Sequence, residues 1–162
     1  MFLIGDKVVY PLHGAGVIQD IEEKEILGKK QYYYILKMAT EPMGKLQIMI
    51  PIEKSEEVGI RQVVDLETME DVLYTLHDDE TDSSTTWNQR YRINADKMKS
   101  GDIYKGTEVI RDLARLNKVK PLGTGEKKML DNALQILISE LVLVKGIGEE
   151  QATAFLDKII YN

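Results

Sequence analysis

Few residues in this 162-residue chain have the type and spacing for catalysis. It has two histidines, His13 and His77, and no cysteine. The lack of cysteine excludes disulfides and every thiolate-held zinc or iron–sulfur site, and it suits a reducing cytoplasm. His13 stands in PLHGAGV and reads as a turn residue beside glycines. His77 closes a helical pattern just before acidic residues, where a positive charge favours the helix C-terminus. No serine sits in a nucleophile motif. Asp78, Asp79, Glu80 and Asp82 form a carboxylate cluster. They lack the alternating oxygens and the glycine of a calcium loop, so they read as a solvated acidic loop. GTGEKK, residues 123–128, does not have the spacing of a nucleotide P-loop. The residues predict no enzyme, no metal site and no cofactor.

Binding chemistry is better represented. The only tryptophan, Trp87, lies in TTWNQRYRIN beside Arg90 and Arg92. Net charge is −6, unevenly spread. Residues 61–86 carry one Lys or Arg against eight Asp or Glu. Residues 87–128 carry eleven against five, a basic island that Trp87 opens. An aromatic ring among cations suits a wedge or stacking surface for nucleic acid. Trp87, Tyr91, Ala95 and Met98 also share one helical stripe, which equally suits a core residue. Further on, Thr124 is the expected N-cap of a long helix. Lys127 and Lys128 stand in its first turns, where free N–H groups attract anions such as phosphate. An ordinary cap with exposed lysines is the alternative there.

Two kinds of element position these residues. Residues 1 to about 52 read as short strands: KVVY, GAGVIQDIEEKEI, a hairpin turning at Gly28-Lys29, and KLQIMI stopped by Pro51. Such a run predicts a small, bent SH3-like or Tudor-like barrel. From about residue 61 the period becomes helical. Leu66, Met69, Leu73 and Leu76 share a face, and Thr86 with Gln89 forms a capping box that puts Trp87 in a helix's first turn. Ser100-Gly101-Asp102 breaks and re-caps. Ile103, Thr107, Ile110 and Leu113 mark the next helix. Leu130, Ala133, Leu137 and Leu141 face inward on the long one, which Lys145-Gly146 closes. Ala152, Phe155, Leu156 and Ile159 mark a last helix. The expectation is an α+β chain: a barrel at 1–58, then a compact all-α bundle of about five helices at 59–162. No flexible linker separates them, so packing between the two is expected. The apolar run LQILISELVLV is too short to span a bilayer and is interrupted by Gln135, Ser139 and Glu140. No secretory signal is apparent at the start.

Taken in order, GDKVVYPLHGAGVIQDIE, TTWNQRYRIN, SGDIYKGTEVIRDL and GTGEKKMLDNALQILISEL resemble the CarD/CdnL family of bacterial transcription regulators. The resemblance covers nearly the whole chain. Helicase motifs of the transcription-repair coupling factor, which shares only the N-terminal module, are absent. The resemblance implies a cytoplasmic, non-enzymatic factor. Its Tudor-like barrel would add a strand edge, GKLQIMI, to the β subunit of RNA polymerase. Lys24, Lys45, Gln47 and Met49 are the contact candidates. Its helical domain would hold promoter DNA at the upstream edge of the melted bubble with weak sequence preference. Trp87 would be a minor-groove wedge, with Arg90, Arg92, Lys127 and Lys128 on the backbone. Lys24 and Met49 stand where members can carry arginines, and neither offers a bidentate fork. Gln89 likewise stands where an arginine can stand. The rival expectation is a protein–protein adaptor without DNA contact. A buried Trp87 packed on Tyr91 and Met98 would favour it.

Overall fold

The structure, a computed structural model, describes residues 1–40, 47–78 and 86–161. Five strands form one antiparallel sheet in the order β4-β3-β2-β1-β5. They are β1 (Lys7–Tyr10), β2 (Gly14–Ile26), β3 (Lys29–Met38), β4 (Gln47–Pro51) and β5 (Arg61–Gln62). A bulge between Ile18 and Asp20 bends the long β2, and Val8, Ile18, Tyr34, Leu36, Met38 and Ile50 pack into one buried core. The hairpin turns one residue earlier than expected. Ile26 pairs with Lys29, so Leu27 and Gly28 are the loop. Both have positive φ, 53° and 78°, as a two-residue turn matched to strand twist demands.

The helices are a short α1 (Ser55–Val58), then α2 (Leu66–Tyr74), α3 (Trp87–Lys99), α4 (Ile103–Val119), α5 (Thr124–Lys145) and α6 (Glu149–Tyr161). Met69, Leu73, Leu76, Leu130, Ala133, Leu137 and Leu141 are buried in one core with α4 and α6, as their spacing predicts. Two positions depart from expectation. Leu66 is the first residue of α2 and lies exposed, while Val72 takes the buried place beside Met69. Thr124 is the first helical residue of α5, and the N-cap is Gly123, which has no side chain to bond the first turn. Phe155 is only partly covered, with the Lys145 ammonium 4.2 Å from its ring centre.

The α+β arrangement matches expectation, with the sheet taking in residues past the expected boundary at 58. β5 at 61–62 pairs with β1 through Val9–Arg61 and Val8–Gln62. Sheet and bundle pack directly through α5. The Ala15 N–H donates to Ser139 Oγ at 2.8 Å, and that hydroxyl donates to the Ile136 carbonyl at 2.6 Å. Gly14 makes the approach possible: its φ is +115°, and a β-carbon there would lie 2.9 Å from Ser139 Oγ. Beside it, Arg61 grips Glu140 with two bonds of 2.9 and 2.8 Å, and its Nε donates to the Gly101 carbonyl at 2.8 Å. The Val64 N–H adds a third bond to Glu140 at 2.9 Å.

Candidate nucleic-acid interface

α3 starts where the sequence says it should. Thr86 Oγ1 accepts from the Gln89 N–H, and Gln89 Oε1 accepts from the Thr86 N–H, each at 3.4 Å. This box makes Trp87 the first residue of the helix. Being at the tip, Trp87 has no preceding turn to cover it, and it is 53% exposed. One turn on, Tyr91 lies under it with ring centres 5.7 Å apart and planes 26° apart. Tyr91 in turn rests on the start of α5, where a β-carbon on Gly125 would lie 3.5 Å from its ring edge. Met98, at the far end of the stripe, is buried in the bundle core. The stripe therefore divides: its inner end is core, and its outer end is a presented ring supported from below.

A buried ion pair fixes this geometry. Arg90 Nε donates to Glu126 Oε2 at 2.7 Å and Nη2 donates to Oε1 at 2.6 Å. Glu126 is buried in the first turn of α5, where a carboxylate also meets the positive end of the helix dipole. The hydrogen bond to Glu126 holds the Arg90 guanidinium above its ordinary pKa, against the opposing effect of burial. Of the expected DNA contacts, Arg90 thus has one edge committed inside the protein. Its Nη1 takes part in neither bond. Arg92, Lys127 and Lys128 are exposed. The N-termini of α3 and α5 meet through Arg90–Glu126 and Tyr91–Gly125, so the structure brings Trp87, Arg90, Lys127 and Lys128 to one end of the bundle.

The polymerase candidates are less closely grouped. β4 is an edge strand, as β-augmentation requires, and Gln47 and Met49 are exposed on it. Gln47 also bonds Gln19 at 2.9 Å. At the opposite edge, β5 and the residues after it are tied to the bundle, Arg61 and the Val64 N–H both bonding Glu140. Lys24 lies on β2, two strands from β4, paired with Gln31 near the hairpin tip and 3.2 Å from Glu22. Lys45, with residues 44–46 of the expected edge, lies outside the described residues.

Of the acidic run, Asp79, Glu80 and Asp82 fall outside the described residues as well. Asp78 is tied to α4: Arg111 approaches its carboxylate at 3.7 Å and Arg115 donates to its carbonyl. His13 sits in the β1–β2 turn with its ring 4.3 Å from that of Tyr10. Among the described residues no cluster of His, Asp and Glu is arranged to hold a metal ion, and no helix is long and apolar enough to cross a membrane.

Two residues that the sequence did not single out are central here. Glu126 reads only as an acid near a helix start, and its partner is 36 positions away. Glu140 reads as an interruption of an apolar run. A polar pair, Ser139-Glu140, inside such a run was the available signal for a buried polar contact.

Residues 2–64 match the model of the CarD-like/TRCF RID domain, and residues 71–157 match that of the CarD C-terminal domain. A Bacillus subtilis (strain 168) protein named "Putative transcription factor YdeB" is 48% identical over 155 residues, covering 96% of this chain and 99% of that one. With both domain models matched in order and a relative aligned over almost its full length, the chain belongs to the CarD/CdnL family of transcription factors.

Proposed function

We propose that this chain bridges the β subunit of bacterial RNA polymerase and promoter DNA, and that it slows collapse of the melted bubble with Trp87 as a minor-groove wedge. The observation that carries this reading is Trp87 itself: an aromatic ring at a helix tip, exposed, backed by Tyr91, with Arg90, Lys127 and Lys128 at the same end of the bundle. A core tryptophan would be covered, and a pure adaptor gives no reason for the surrounding charge. Inserting a ring between base pairs costs about a few kcal/mol of unstacking. Base–aromatic contact returns roughly 1–3 kcal/mol of it.

The work is done by binding. A factor that holds the open complex more tightly than the closed one shifts their ratio by that difference, and about 1.4 kcal/mol gives a tenfold change. The basic island is small and the chain is acidic overall, so DNA affinity alone is weak. Docking through the β4 edge supplies the missing local concentration. On this reading the protein works in the cytoplasm with the polymerase.

The test is the lifetime of open complexes formed by polymerase with wild type or Trp87→Ala. The variant folds with stability within about 0.5 kcal/mol of wild type, as expected for a surface change. Its complexes collapse as fast as those with no factor added. A variant that prolongs the open state as well as wild type would rule out the wedge.

A further inference from the structure

Beneath the Trp87–Tyr91 stack, α3 and α5 leave an open groove of about 350 Å³. Tyr91, Met98 and Met129 give it apolar walls, and the exposed Lys99, Lys128 and Asn132 complete its polar part. Among the described residues no carboxylate lines it, and no hydrogen bond or ion pair engages those three polar side chains. The groove is continuous with the proposed wedge, because Tyr91 serves both.

We infer that this groove takes one unpaired nucleotide of the DNA strand beside Trp87. The inference rests on the DNA-contact reading above and names where the displaced base goes. A base separated from its neighbour by a wedge has lost a stacking surface. The tyrosine ring and the soft, polarizable Met129, which is only partly buried, offer another. Asn132 presents both a donor and an acceptor to a base edge. Lys99 and Lys128, one on each helix, neutralise the flanking phosphates. The volume is in the range that small-molecule sites occupy. An acidic peptide would also meet the lysines, but it makes no use of an aromatic floor shared with the wedge.

The chain has no cysteine, so Asn132→Cys introduces a single thiol on the exposed side of α5. The full-length variant is compared before and after alkylation with N-ethylmaleimide, which fills the groove of an already folded protein. Binding is measured at low salt by fluorescence anisotropy, with a blunt duplex and with a forked duplex of the same sequence carrying unpaired ends. Wild type favours the fork by about fivefold or more. The alkylated variant loses that preference and keeps blunt-duplex affinity within about twofold. Fork preference that survives alkylation, or is absent from wild type, overturns the inference. So does alkylation that spares DNA binding but weakens capture of the polymerase β subunit, which assigns the groove to a peptide. Trp87→Ala on the blunt duplex tests the wedge separately: lost affinity there with fork preference intact after alkylation keeps the wedge and removes the groove.

Discussion

α5 carries two buried glutamates, Glu126 and Glu140, each held by an arginine from elsewhere in the chain. They lie 14 residues apart on nearly the same face, roughly 21 Å along the axis. The pairs look alike and differ in completeness. Arg61 uses four N–H bonds: two to Glu140 and one each to the carbonyls of Gly101 and Gln62. Arg90 uses two, both to Glu126, of the five N–H groups a guanidinium has. The first pair is a closed structural joint between sheet and bundle. The second clamps the helix that presents Trp87 and leaves three N–H groups outside these bonds, which the proposed function would give to a phosphate. One helix thus links the joint that carries the sheet to the clamp that carries the ring. Neither pair is an argument for raw stability, since hydrophobic replacements of both partners often hold as well. What they supply is a fixed position.

Arg61→Ala puts the comparison under the greatest load. It leaves Glu140 in mid-helix, buried, with only the Val64 N–H as partner. The expected cost is about 3–5 kcal/mol, seen as a lower urea midpoint. Arg90→Ala costs less, because the stranded Glu126 sits in a first turn where the helix dipole favours negative charge. Equal losses for the two variants would remove the distinction between joint and clamp.

Glu126→Ala separates clamping from DNA contact. It frees Arg90, already partly exposed, and costs about 2 kcal/mol in the same assay. Trp87 and Arg90 both remain, so a role for Arg90 through phosphate alone leaves open-complex lifetime unchanged. A clamping role shortens it about tenfold, equivalent to about 1.4 kcal/mol. Ser139→Ala acts at the joint with a smaller effect. It strands the buried Ala15 N–H at about 1–2 kcal/mol and leaves the α3 tip as it was. Wild-type stability in this variant would mean that the hydroxyl does not hold the sheet.

Local signals made much of this legible. The change of period near residue 61 separated sheet from bundle, and Thr86 with Gln89 located the tip of α3 to the residue. Both are short-range effects, set by side chains within one turn of each other. The inward faces of α4 and α5 followed from spacing alone. What stayed hidden depends on partners far apart in sequence. Glu126 and Glu140 are ordinary acids until the fold brings an arginine to each. Leu66 shares the face of Met69, Leu73 and Leu76 yet is exposed, because period fixes a direction and not the depth of the neighbour it meets. Thr124 was a better N-cap by residue type than Gly123, but the chain enters α5 one residue earlier. Lys24 and the β4 edge were grouped by resemblance, and the sheet order sets them two strands apart.

The smallest predicted effect tests how finely the tip must be held. Both bonds of the Thr86–Gln89 box are 3.4 Å long, beyond the usual N–H···O range. Thr86→Ala therefore costs about 0.5 kcal/mol, the low end for an N-cap, and leaves the urea midpoint nearly unchanged. The loss is confined to the first turn of α3, because Arg90–Glu126 anchors the turn that follows. Hydrogen exchange of the amides of residues 88 and 89 should quicken while that of Met98 does not. Open-complex lifetime should fall by less than with Trp87→Ala, since the ring is still present and only its mount is loosened. If exchange in that first turn is unchanged, the box does not hold the ring, and the Tyr91 stack and the Glu126 clamp position it by themselves.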